Sequence, residues 1–172
     1  MAQTYDAIAS YTFASAAANY TFSSIPQTYT DLVIITNVAI SSGTGYNTIR
    51  VGNSTVDTGT HYSLTTVEGT GTNKFSNRYT NSSYIYLNGS GYLNTNFETS
   101  QIINIQNYSN TTTYKTFLVR NGGASAGVDA IVALWRGMSG SSTEAINTIT
   151  ISTTASTFVA GSTLSLYGVK AA

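Results

Sequence analysis

The stretch Val128-Asp129-Ala130-Ile131-Val132-Ala133-Leu134-Trp135 sets the fold class. Ile131, Ala133 and Trp135 fall on one face at a period of two, and Val128, Val132 and Leu134 fall on the other. An apolar run of this length is a strand, and apolar residues on both faces predict a central strand covered from both sides. Residues 164–169 read as double-sided in the same way. Around these lie strands with one apolar face: residues 31–40 with Leu32, Ile34, Val38 and Ile40, residues 101–108 with Ile103 and Ile105, residues 114–120 with Phe117 and Val119, and residues 146–152 with Ile149 and Ile151. Weaker strand patterns occupy residues 5–13, 20–24, 47–51, 61–67 and 83–87.

The connections between these runs are rich in turn residues. Asn88-Gly89-Ser90-Gly91 reads as a hairpin turn after residues 84–87, because Asn and Gly accept positive φ at little cost. Asn121-Gly122-Gly123 and Gly43-Thr44-Gly45 read as turns for the same reason, as do Gly69-Thr70-Gly71 and residues 137–140. No window carries helical periodicity, and residues 14–18 suffice for one helical turn at most. Many short strands predict an all-β protein, a single antiparallel β-sandwich spanning residues 1–172. The long weakly patterned stretch 52–81 favours a jelly roll over a meander. The expected core is Leu32, Ile34, Val38, Ile103, Ile105, Phe117, Ile131, Leu134, Trp135, Ile149 and Leu166.

Composition narrows the function. Charged residues are 8% of the chain, seven basic against seven acidic, where an ordinary soluble domain carries about 25%. Thr, Ser and Asn stand in their place. Such a surface repels copies of itself weakly and suits assembly or adhesion. The balanced charge leaves no footprint for nucleic acid or an anionic membrane. There is no cysteine and one histidine, His61. A metal centre of three or four convergent nitrogen or sulfur ligands is therefore excluded, and no calcium-loop pattern occurs. His61, with Asp57 four residues before it and Glu68 seven after, reads as a strand-end histidine. Glu68 and Glu98 are a conceivable carboxylate pair for glycoside hydrolysis, but nothing in the sequence joins them. No nucleophile elbow or phosphate loop is present. The expectation is no catalytic residue, no metal and no cofactor. Thirteen tyrosines remain. Tyr79, Tyr84, Tyr86 and Tyr92 crowd around Asn88 and are the candidate interface or glycan contacts, since a tyrosine ring stacks on a sugar face while an amide bonds its hydroxyls. Tyrosine is equally suited to protein interfaces and to strand packing.

Specific strings add a resemblance. Phe22-Ser-Ser-Ile-Pro-Gln-Thr-Tyr-Thr-Asp-Leu32 resembles the opening of a family of small tail-associated and other virion structural proteins of tailed bacteriophages, cyanophages among them. Further blocks follow in the same order: Arg50-Val-Gly-Asn53 with Thr58-Gly-Thr-His-Tyr62, Ile103-Asn-Ile-Gln-Asn-Tyr-Ser-Asn-Thr111 with Lys115-Thr116, Ala133-Leu-Trp-Arg136, Ala145-Ile-Asn-Thr-Ile-Thr-Ile151, then Phe158, Gly161-Ser162 and Leu166-Tyr-Gly-Val169. The resemblance implies virion location and brings no catalytic residues. Within the blocks, Pro26 is expected to set a turn and Gly168 a bulge or a close approach. Many relatives are tail or fibre proteins, often as terminal domains of longer chains, whereas here no coiled coil or shaft precedes the blocks.

The functional expectation is a non-enzymatic structural protein on the outer surface of a tailed-phage virion. Its leading form is a capsid decoration or cement subunit that bridges shell proteins and associates with copies of itself. The alternative is a tail-fibre or tail-tip protein that recognises host surface glycan. A small carbohydrate-active enzyme is disfavoured by the shortage of acids.

Overall fold

The computed structural model describes residues 4–89, 93–95, 97–123 and 127–170. Among them are fourteen strands and no helix. In chain order these are β1 (Tyr5–Thr12), β2 (Asn19–Phe22), β3 (Asp31–Val38), β4 (Thr44–Gly45), β5 (Asn47–Gly52), β6 (Tyr62–Thr70), β7 (Asn73–Ser82), β8 (Ile85–Tyr86), β9 (Leu93–Asn94), β10 (Thr99–Gln106), β11 (Lys115–Gly123), β12 (Gly127–Trp135), β13 (Thr148–Thr153) and β14 (Thr163–Val169).

Two antiparallel sheets form the sandwich. The larger has the order β1-β14-β3-β10-β11-β12-β6-β7, the smaller β2-β13-β5-β8, and β4 pairs with β9 separately. With the hairpins β6–β7 and β11–β12 set aside, β1-β14-β3-β10 faces β2-β13-β5-β8. Strands adjacent in one sheet are distant in sequence, and the chain passes repeatedly from sheet to sheet. That is jelly-roll connectivity. The two hairpins are insertions, one between β5 and β8 and the other between β10 and β13. They pair with each other through β12 and β6 and extend the large sheet beyond β10.

The expected core lies between the sheets. Leu32, Ile34, Val38, Ile103, Ile105, Phe117, Ile131, Trp135, Ile149 and Leu166 are all buried. Leu134 is a correction. It is half-buried on the opposite face of β12. Val128 and Val132 share that face and are 65% and 58% exposed. The double-sided reading of β12 therefore fails, because among the described residues no second layer covers the outside of the large sheet. β14 is likewise one-sided: Leu164, Leu166 and Gly168 are buried, while Ser165, Tyr167 and Val169 are half-exposed.

Other local readings are also revised. Residues 14–18 form no helix; Ala17 instead bridges to Phe158. Asn121 and Gly122 do not begin a turn but continue β11, and residues 124–126 fall outside the described residues. The expected hairpin at Asn88 does not join neighbouring strands, since β8 pairs with β5 and β9 with β4. Ser90 and Gly91 of that turn lie outside the described residues. Gly168 does mark a close approach: a Cβ there would overlap the ring of Tyr29. The bulge lies on the paired strand, between Ala7 and Ala9 of β1.

Candidate functional site

A row of polar side chains crosses the inner face of the large sheet at one end. Strand register places Thr36 beside Gln101, Gln101 beside Asn121, Asn121 beside Asp129, Asp129 beside Glu68, and Glu68 beside Phe75. From Thr36 to Glu68 every member is buried, so each needs partners. Gln101 Oε1 accepts from Thr36 Oγ1 at 2.9 Å and from Asn47 Nδ2 at 2.6 Å, and Gln101 Nε2 donates to the Leu87 carbonyl at 3.0 Å. Asp129 Oδ2 accepts from Asn121 Nδ2 at 2.7 Å and from the Gly89 amide at 2.8 Å. Asn88 Oδ1 accepts from the Asn47 amide at 2.6 Å. The segment 87–89 is thus clamped between the sheets. Asn88 is fully buried and acts there as a spacer, where the sequence suggested a hairpin turn.

The row ends at an open cleft. Its volume is about 260 Å³, and Glu68, Phe75, Asn77, Tyr79, Tyr86 and Tyr46 line it together with Thr66, Asn88 and Gly89. The cleft exists because β7 is the last strand of the large sheet and lies exposed along nearly its whole length. Alternation puts Phe75, Asn77 and Tyr79 on its inner face, opposite Glu68, Thr66 and Leu64 of β6. Phe75 and Tyr79 are 47% and 38% exposed. Tyr86, at the edge of the small sheet, forms the other wall. Its ring centroid is 4.6 Å from that of Tyr46, 5.4 Å from Tyr79 and 5.0 Å from Tyr84.

Polar groups inside the cleft are held in place. Glu68 Oε1 accepts from Thr66 Oγ1 at 2.6 Å and from Asn77 Nδ2 at 3.4 Å. Gly89 packs so tightly on this carboxyl that a Cβ would overlap it. The Tyr86 hydroxyl is pushed up to about 12, first by burial and then by the Tyr84 hydroxyl 3.3 Å away.

Of the candidate contacts read from sequence, the structure brings Tyr79, Tyr86 and Asn88 to this cleft. Tyr84 stands behind Tyr86, with the Arg50 guanidinium 5.2 Å from its ring centre. Tyr92 lies outside the described residues. Sequence reasoning missed Tyr46, Thr66, Phe75 and Asn77. The alternation of Phe75, Asn77 and Tyr79 is the signal that would have found the inner face of β7. Glu68 and Glu98 do not meet; Glu98 accepts a hydrogen bond from Asn37 Nδ2.

His61 belongs to a second cluster. Its Nδ1 is 2.9 Å from Asp57 Oδ2, and its ring lies against Gly59 and Gly140, where a Cβ on either would collide with it. The carboxylate of Asp57 also accepts from the Gly59 amide at 2.8 Å and from Trp135 Nε1 at 2.7 Å. Through Asp57 and Trp135 the cluster ties the loop before β6 to the core. Groups of three or more His, Cys, Asp and Glu side chains arranged to hold a metal are absent among the described residues.

Comparison with known protein families, with curated proteins and with solved structures finds no match.

Proposed function

We propose that this chain is a non-enzymatic structural protein on the outer surface of a tailed-phage virion, serving as a capsid decoration subunit that bridges shell proteins. The observation that carries the reading is the uncovered face of the large sheet. Ile35, Leu118, Val132, Val67 and Val128 are all exposed there. Val132 sits directly opposite Leu118, Ala130 opposite Val67, and Ile35 opposite Ile102. The apolar residues form two clusters, Val33, Ile35 and Ile102 on one side and Leu118, Ala130, Val132, Val67 and Val128 on the other, with Asn104 and Arg120 between them. Exposed patches of this kind mark protein interaction sites. A subunit held by many shared contacts needs such a broad face, here mainly apolar with Arg120, Arg78 and Lys74 among its side chains. The sequence blocks that resemble tailed-phage virion proteins support the location.

One observation favours a second reading. The aromatic cleft at β7 suits a tail-fibre or tail-tip protein that recognises host surface glycan. Counting copies on purified particles by quantitative mass spectrometry separates the two. Copies in the hundreds support decoration. Copies in the tens or fewer support a tail part, and absence from particles overturns both.

A further inference from the structure

We propose that the cleft between β7 and β8 is a binding site for a chain of neutral hexopyranose sugars. This deepens the glycan-recognition reading, yet its chemistry holds wherever on a particle the subunit sits. A sugar ring has one face of C–H groups and a rim of hydroxyls, so a site for it needs flat apolar rings beside fixed polar groups. The cleft supplies both. Phe75, Tyr79 and Tyr86 offer rings and Asn77 an amide, and the buried carboxylate of Glu68 holds Asn77 in place.

Three features set the ligand class. First, among the described residues the lining holds one carboxylate and no basic side chain, which disfavours sialylated or uronate-bearing chains. Second, Phe75 and Tyr79 lie on the same strand face four residues apart, a span of about 14 Å. That run suits a chain rather than one sugar. Third, Phe75 and Tyr79 remain substantially exposed although they lie on the inner face of the sheet, so their rings are placed to meet a partner. The outer-face patch is different in kind: its exposed apolar residues Leu118, Val67, Val128 and Val132 are aliphatic, and it suits protein contact.

The site binds without hydrolysing. Hydrolysis by the two-carboxylate route needs a second acid beside the first. The acid next to Glu68 in register is Asp129. It does not line the cleft, and its Oδ2 is engaged by the Gly89 amide and Asn121.

The test uses the full chain on an array of neutral hexose oligosaccharides, with sialylated and uronate chains printed alongside, followed by calorimetry with the best neutral tetrasaccharide. Tyr79→Ala and Phe75→Ala, both at exposed rings, are compared with Val132→Lys on the outer face. The expected result is binding of neutral chains, a loss of about tenfold or more in affinity for each ring variant, unchanged thermal stability, and full affinity in Val132→Lys. Failure to bind any neutral chain overturns the proposal, as does a preference for the anionic ones. Unchanged affinity in both ring variants also overturns it. None of these outcomes alters the copy number per particle, on which the virion reading stands or falls.

Discussion

Trp135 Nε1 donates to Asp57 Oδ2 at 2.7 Å, the same oxygen that meets His61 Nδ1 at 2.9 Å. The indole is 1% exposed and the aspartate 2%, so the core's largest side chain is tied by its one polar atom to the loop before β6. Removing the acceptor orphans a buried donor, which is costlier than losing a surface ion pair. Asp57→Ala is expected to destabilise by about 3 kcal/mol. Trp135→Ala is expected to cost about 3–5 kcal/mol through the cavity it leaves, and His61→Ala about 1 kcal/mol. Urea titration orders the three. A His61→Ala loss equal to that of Asp57→Ala would show that the imidazole, not the indole, is the partner that matters.

Gly168 and Gly69 make a matched pair in the same sheet. A Cβ at Gly168 would run into the Tyr29 ring, whereas a Cβ at Gly69 would sit 3.7 Å from Val128 Cγ2, in ordinary contact. Neither glycine has a positive φ. Gly168→Ala is therefore expected to cost about 1–3 kcal/mol by overpacking. Gly69→Ala is expected to be neutral or stabilising by up to about 1 kcal/mol, because the unfolded chain loses freedom. Equal melting temperatures for the two variants would contradict the close approach of Tyr29.

Alkaline pH should unfold the protein through its tyrosines. Burial raises the Tyr62, Tyr86 and Tyr108 hydroxyls above the ordinary 10.0. The folded state thus keeps protons that the unfolded state releases. Stability from these groups is complete below pH 10 and falls as pH rises above it toward the folded values. Lys115 works in the opposite sense. Burial lowers it below 10.5, partly offset by Glu144, so stability rises with pH between its folded value and 10.5. The net expectation is a decline that steepens once pH passes about 10.5. Urea midpoints across this range measure it. The double variant Tyr62→Phe with Tyr108→Phe should show a shallower decline, and an unreduced one would place the titrating groups elsewhere.

Most of the sandwich was legible because inward residues alternate at a period of two and the core is strongly apolar. β7 was not, because its alternation of Phe75, Asn77 and Tyr79 with Lys74, Ser76 and Arg78 has only two apolar members and is too weak a signal to stand out. The outer side of β12 misled for a related reason: Val128 and Val132 are as apolar as any core residue, and a sequence does not record which side of a sheet lacks a cover. At the cleft, Tyr79, Tyr86 and Asn88 are near one another in the chain and could be grouped by eye. Tyr46 and Glu68 reach them only through the β5–β8 and β6–β7 pairings, which leave no local trace.

The outer face yields the last prediction. Val128 and Val132 project from the sheet with little burial, so a lysine at either position should fold normally and change stability by no more than about 0.5 kcal/mol. If this face holds the subunit to its neighbours, the same lysine puts an unpaired charge into a desolvated contact, and association should fall by about a hundredfold. Stripping the protein from particles and rebinding it with wild type and Val132→Lys measures the effect. The wild-type contact, made mainly by aliphatic side chains, should depend weakly on salt. A large loss of wild-type rebinding at high ionic strength would instead assign the contact to charged groups such as Lys74, Arg78 and Arg120. Unimpaired rebinding of both Val132→Lys and Val128→Lys would remove the outer face from the interface altogether.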